Sequence, residues 1–228
     1  MNMKDNDNTV LNVLGCVPSL LNILFELACE SRSIRNFDIL LNIPVDISDE
    51  FMPSADWQVT TIPVYDRHDH IPESDLFAFS VVGTQSKEIV YNFFRQLYRL
   101  ETCQFMNLIH PSSYISRSVT LDHGLQVEPL SVVSSCTTLE FGINVKRGCN
   151  IGHHCTIGRF STINPGVTIS SHVHVGNNTM IGSGTTVKDG IHIGQNTIIG
   201  AGSVVVRDIP DNVIAFGNPC RPQKPNQR

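Results

Sequence analysis

The chain predicts two parts of different fold class: a small parallel α/β region over residues 1–108 and an all-β coil of very short strands over residues 109–209, with a tail at 210–228. Three observations carry this. The second half holds a six-residue hydrophobic period, the first half alternates strand-like and helix-like runs, and the whole chain is 41% apolar with a formal charge of −5, as expected of a globular protein with a buried core.

The period is unbroken. Stepping by six from Ile115 one meets Leu121, Val127, Val133, Leu139, Val145, Ile151, Ile157, Ile163, Ile169, Val175, Ile181, Val187, Ile193, Ile199 and Val205, every one Ile, Leu or Val. A helix at 3.6 residues per turn cannot return a side chain to the same face every six residues, whereas a short strand followed by a tight corner can. Three such units close a triangular coil of the parallel β-helix kind. The aliphatic residues fill the interior, and small residues two positions earlier (Thr137, Cys149, Cys155, Ser161, Thr179, Thr185, Thr197, Ser203) fit beside them. Gly152, Gly158, Gly176, Gly182, Gly194 and Gly200 each follow an interior residue, where they let the backbone turn or approach a neighbour closely.

In the first part, strands are expected at 10–15, 37–43, 77–83 and 104–109, with helices at 19–29 and 86–100, and this alternation argues for a parallel sheet. The stretch from Pro44 to Pro72, rich in Pro and Asp, reads mostly as loop.

Several classes of function are excluded at this level. Like charges never run longer than two, so nucleic-acid and membrane-surface partners are not expected. No run reaches the roughly 18 apolar residues of a bilayer span. The polar start, Met1 to Thr9, does not read as a secretory signal. Seven cysteines without a CxxC pair fit unpaired thiols in a reducing, cytoplasmic compartment.

Particular motifs then resemble one group, the bacterial sugar acyltransferases of the sialic-acid O-acetyltransferase and bacillosamine-type N-acetyltransferase family. They are His110-Pro111-Ser112-Ser113 at the entry to the coil, Ile199-Gly200-Ala201-Gly202-Ser203-Val204-Val205 and Asp208-Ile209-Pro210-Asp211-Asn212 at its end, and Gly217-Asn218-Pro219 in the final turn. The resemblance implies a Rossmann-like domain that binds a nucleotide sugar, a left-handed β-helix, association into homotrimers, and acetyl-CoA as co-substrate with no metal. The N-terminal match is looser. Gly15-Cys16-Val17-Pro18-Ser19 keeps one glycine of the family's first loop, Asn42 lies where an acidic pair is usual, and Gly83 matches a glycine that lies against the nucleotide. Gly15, Val17, Ser19, Asn42 and Gly83 are therefore the expected substrate-binding positions.

In His153-His154-Cys155-Thr156-Ile157-Gly158, the family pattern makes His153 the general base, with His154 in place of the usual acidic residue. Both lie two and three residues past Ile151, toward a corner, so both side chains can point outward, as a base working near neutral pH requires. Ordinary surface histidines at a turn are the competing account. His154 and His172, and likewise His174 and His192, are 18 residues apart and so stack on successive coils. Solvent-facing stacking is preferred there to a catalytic metal, since the five-residue histidine step of the β-helix carbonic anhydrases does not occur. Asp122 and His123 read as surface.

The resemblance further places the backbone N–H of Ser171 at the developing oxyanion, and Thr162, Gly182, Ser183, Gly200 and Ala201 along CoA. Lys188, Arg207 and Arg221 could meet its phosphates or be solvated surface charges. Lys146, beside Arg147, replaces an asparagine usual near the base. The activity expected is acetyl transfer to the amino group of a UDP-, dTDP- or GDP-linked amino sugar, in the making of a bacterial surface glycan. O-acetylation of a sugar, or a non-catalytic trimer that only binds a sugar nucleotide, are the alternatives left open.

Overall fold

A computed structural model describes residues 9–47, 50–66, 72, 74–83 and 85–227. The N-terminal region has four parallel strands, β1 (Val10–Leu14), β2 (Asn36–Leu41), β3 (Gln58–Pro63) and β4 (Phe77–Phe79), in the order β3-β2-β1-β4. Helix α1 (Pro18–Arg32) follows β1, and α2 (Ser86–Tyr98) follows β4. Proline opens α1, where a missing N–H costs nothing, and Ser33 closes it in the left-handed region at φ 58°. Leu21, Leu24, Phe25 and Ala28 turn inward at helical spacing, and Phe25 stacks on Phe37 of β2 with ring centroids 3.8 Å apart.

The expected helices are present, each a few residues different in length. Three strand expectations need correction. The 77–83 strand ends at Phe79, because the chain leaves the sheet before Gly83, which has φ 115°. Most of 104–109 is not strand: a 3₁₀ turn, Thr102–Gln104, precedes a two-residue strand, Leu108–Ile109. The stretch read as loop contains β3, paired along its length with β2. It lies at the sheet edge and is largely exposed, so no apolar alternation marks it.

From Leu108 to Val205 the chain winds through two-residue strands that stack into three parallel faces, each strand paired to the one 18 residues on. The first face carries outward Gln126, Asn144, Thr162, Met180 and Ile198. The second carries Tyr114, Val132, Asn150, Thr168, Thr186 and Val204, and the third Thr120, Thr138, Thr156, His174 and His192. From Val127 to Val205 every interior aliphatic is at most 2% exposed. Leu121 is exposed because its strand, at the start of the third face, has a neighbour on one side only.

The small buried hydroxyls do more than fit. Thr137 Oγ1 donates to Gly152 O at 2.8 Å and accepts the Cys155 N–H at 3.1 Å, tying one coil to the next, and Ser161 and Thr179 repeat the pattern. The glycines after the interior residues serve close approach: a Cβ on Gly182 would lie 2.5 Å from Ala201 N in the coil above. The left-handed corners sit two residues later, at every sixth position from Leu130 to Gly202, mostly on glycine and asparagine but also on Cys136, His154, Phe160 and His172.

The N-terminal region packs on the first face of the coil. Phe77, Phe79, Tyr91, Phe94 and Phe105 form one buried cluster with Phe141 and Phe160 of the coil. Polar bonds cross the same contact: Gln126 Nε2 donates to Phe79 O at 2.7 Å, and the fully buried Lys87 Nζ donates to Gly142 O and Asn144 Oδ1, both at 2.7 Å. After Val205 the chain adds a strand, Val213–Gly217, parallel to the first face beside Ile198–Ile199, then folds Cys220–Pro225 back on it.

Candidate active site

The histidine pair stands on a corner between the second and third faces, between strands Asn150–Ile151 and Thr156–Ile157. Both rings are exposed, as the spacing requires. Their Nδ1 atoms are 3.0 Å apart, a hydrogen bond in which one nitrogen must carry the proton and the other accept it. Backbone bonds set the platform: His154 N–H donates to Ser135 O in the coil before, and His172 N–H to His153 O, both at 3.0 Å. His172 occupies the equivalent corner one coil on. It stacks on His154 with ring centroids 5.1 Å apart and meets His153 edge-on at the same separation. One ring nitrogen from each of the three lies within 4.8 Å of the others. The 18-residue spacing indicated the His154–His172 stack; that His153 joins the two follows from side-chain packing at the corner.

Ser171 is one coil above His153, and its N–H makes no hydrogen bond among the described residues. The equivalent N–H groups of Arg147 and Arg159 are instead taken by the Glu128 and Glu140 carboxylates.

The expected CoA positions divide. Gly182-Ser183 and Gly200-Ala201 stack directly on one another at the corner between the first and second faces, with Gly182 against the Ala201 backbone. They and His153 thus lie on opposite long edges of the second face. Thr162 does not join them. It is 3% exposed on the first face, in the buried row with Asn144.

The expected substrate positions gather at the carboxyl ends of the α/β strands. Gly15 ends β1 at φ 70°, with Val81 so near that a Cβ would lie 2.8 Å from its Cγ1. Val17 N–H donates to Ser80 O, Ser19 is exposed in the first turn of α1, Asn42 follows β2, and Gly83 follows β4. Where strand order reverses between β1 and β4, such an edge forms a ligand crevice. Beside it, α1 and the coil corner at His110, Glu128 and Arg147 enclose a cavity of about 310 Å³.

Glu128 has no counterpart in the sequence reading, and it changes the meaning of Lys146. Glu128 is 4% exposed and pairs with Lys146 Nζ at 2.8 Å and Arg147 Nη1 at 3.3 Å. Lys146 is thus paired and nearly buried, whereas the Arg147 guanidinium, which shares the same carboxylate, is 61% exposed and can also reach a ligand. Glutamate 18 residues before lysine was the available signal. On the third face, His174 and His192 stack at 4.7 Å. Burial holds the His174 pKa below its ordinary value, with His192 lowering it further and Glu140 opposing. Burial raises the Cys149 thiol to about 11, and all seven cysteines are free. No helix among the described residues is long and apolar enough to cross a membrane.

Comparison with known proteins agrees with this architecture. The bacterial transferase hexapeptide family (six repeats) matches residues 172–207, and the hexapeptide repeat of succinyl-transferase matches 148–179. No curated protein matches the sequence. Among solved structures, the acetyltransferase domain of PglB from Neisseria gonorrhoeae FA1090 aligns with a TM-score of 0.80 at 24% identity, over 95% of this chain and 100% of that one. WeeI from Acinetobacter baumannii AYE aligns with a TM-score of 0.78 at 16% identity, over 94% and 100%. A variant of perosamine N-acetyltransferase from Caulobacter crescentus, solved with CoA and GDP-perosamine, aligns with a TM-score of 0.73 at 23% identity, over 95% and 97%. The fold expected from the sequence, an α/β region joined to a parallel β-helix, is the fold these proteins share.

Proposed function

We propose that the chain is an acetyl-CoA-dependent N-acetyltransferase acting on the amino group of a nucleotide-linked amino sugar, with His153 as general base. The observation that carries this is an exposed His153 whose Nδ1 is tied to His154, on a rigid corner one coil below the open Ser171 N–H. With its proton on Nδ1, donated to His154 Nδ1, His153 presents a lone pair on Nε2. His154 is then the tautomer protonated on Nε2, a positioning residue in place of a carboxylate. Nε2 takes a proton from the attacking amine as its nitrogen bonds the acetyl carbon. The Ser171 N–H stabilises the oxyanion; the C–S bond then breaks, and the proton passes to the departing thiolate.

The expected positions extend this reading. CoA runs past Gly182-Ser183 and Gly200-Ala201, where glycine lets an extended arm approach backbone amides. Thr162, being buried, takes no part. Gly15, Val17, Ser19, Asn42 and Gly83 border the nucleotide, and Arg147 meets its phosphates. Because base and CoA corners lie on opposite edges of the second face, a complete site needs the edge of a second copy, as in a homotrimer. The free thiols support a cytoplasmic setting, and the substrate class supports a role in surface-glycan synthesis. The solved relatives support the reading: the C. crescentus protein was captured with CoA and GDP-perosamine, and the N. gonorrhoeae domain with acetyl coenzyme A. Transfer to a sugar hydroxyl is the second reading, disfavoured because an alcohol needs a stronger base and His153 Nδ1 is held by His154 rather than, among the described residues, by a carboxylate.

The test is turnover of acetyl-CoA with a panel of UDP-, dTDP- and GDP-linked amino sugars. His153→Asn should lower kcat by about 10²–10⁴-fold with the fold intact. Unchanged turnover in that variant would remove the base assignment.

A further inference from the structure

We propose that His153, His154 and His172 form a binding site for a borderline divalent cation of the Zn²⁺ class, and that this cation competes with acyl transfer for His153. The competition rests on His153 being the base; the site itself rests on geometry alone.

Each of the three imidazoles offers a nitrogen within 4.8 Å of the other two, and the His153 and His154 Nδ1 atoms are 3.0 Å apart. Two Zn–N bonds of about 2.0–2.1 Å at a tetrahedral angle put their nitrogens about 3.3–3.4 Å apart, so this pair already stands near chelating distance. The third ring needs only side-chain rotation, and it is exposed and free to make it. Imidazole ligands suit Zn²⁺, Co²⁺, Ni²⁺ and Cu²⁺, and three protein ligands on an open surface leave a position for water.

The backbone holds the rings in place independently of any cation. His154 and His172 sit at φ 56° and 61°, on corners that this coil fills elsewhere mainly with glycine and asparagine. Histidine adopts this conformation more readily than most residues, so the two rings stand in register on successive corners with little backbone strain. The His172 N–H to His153 O bond fixes the spacing between the two coils. Among the described residues no other group of three ligands has this closeness, and the His174–His192 stack supplies two rings only.

Coordination explains the competition through the tautomer. A neutral imidazole that binds a cation through Nδ1 carries its proton on Nε2. In His153 that is the atom required to accept the proton of the amine. The bound cation displaces the Nδ1 proton to Nε2 and leaves no lone pair for the base.

The test uses the full chain freed of metal by a chelator, titrated with Co²⁺ by visible absorption and with Zn²⁺ by calorimetry. One ion per chain should bind, with the intense visible bands of low-coordinate cobalt. His172→Asn, which suits the left-handed corner, should weaken binding by more than about tenfold; His192→Gln on the third face should not. Zn²⁺ should inhibit acetyl transfer by the wild type reversibly, while His172→Asn keeps its metal-free turnover and loses the inhibition. No saturable cobalt binding, or equal binding by wild type and His172→Asn, would overturn the site. Cobalt binding in a chain that turns over no amino sugar would leave the site standing and remove the acyltransferase reading. Turnover that Zn²⁺ does not slow, in a chain that binds cobalt, would overturn the competition.

Discussion

Replacing Lys87 with methionine should make the stability of the protein respond differently to pH. Lys87 Nζ is fully buried where α2 meets the coil, donating to Gly142 O and Asn144 Oδ1 at 2.7 Å, with Ser161 O farther off at 3.3 Å. Its partners are two carbonyls and an amide oxygen. Burial pushes its pKa well below that of a free lysine, and the Lys146 charge lowers it further. The sign follows directly. A lysine whose folded pKa is depressed binds fewer protons folded than unfolded, so stability rises with pH from the folded value up to the unfolded one. Across that window, one proton lost on folding gives a slope of about 1.4 kcal/mol per pH unit. Methionine has nearly the same length and no proton to lose. It leaves Gly142 O and Asn144 Oδ1 without this donor, at about 1–3 kcal/mol each, or about 2–6 kcal/mol together. The variant should thus be less stable by about that amount at pH 9, and the gap should narrow as pH falls toward the depressed folded pKa, by at most about 1.4 kcal/mol per pH unit. Urea unfolding of both proteins at pH 7, 8 and 9 measures this. A gap that stays constant would show that Lys87 keeps its proton in the fold and would refute the argument.

Other perturbations address the coil and its ion pairs. Glu128→Gln leaves Lys146, whose side chain is 12% exposed, without its counter-charge, and should cost about 3 kcal/mol in an unfolding titration, far more than Asp56→Asn at the exposed Arg35 pair. Gly176→Ala should lower stability by about 1–3 kcal/mol in thermal melts, because its Cβ would lie 2.5 Å from Gln195 N in the next coil. Gly148→Asn should cost far less, since that glycine faces open space at φ 68°, a conformation asparagine accepts. His174, with its folded pKa depressed, binds fewer protons folded than unfolded. The protein should therefore lose stability as pH falls through the ordinary histidine range, and His174→Gln should lessen that acid sensitivity in melts between pH 7 and 5.

Much of this was legible in the sequence. A β-helix repeats one local solution every six residues, so each interior aliphatic restates the same register from Val127 to Val205. The stack of His154 on His172 and of His174 on His192 follows from arithmetic on an 18-residue coil. Helices α1 and α2 showed themselves through apolar spacing. Strand β3 did not, because an exposed edge strand needs no buried face to be held, and its backbone bonds to β2 leave no hydrophobic signature.

The amino-acid sequence by itself thus determined the two-part fold, the coil and the outward histidine corner, since each depends on residues near in sequence or on a fixed period. The tertiary structure alone decided what depends on one part lying against the other and on how side chains settle. It buried Lys87 between the α/β region and the coil and Thr162 on the first face, joined Glu128 to Lys146, and brought His153 against His154 and His172. The Lys87 contacts bridge separations that no repeat encodes and form only where two surfaces exclude water together, whereas Glu128–Lys146 and His154–His172 stand at the 18-residue repeat and depend on how their side chains settle.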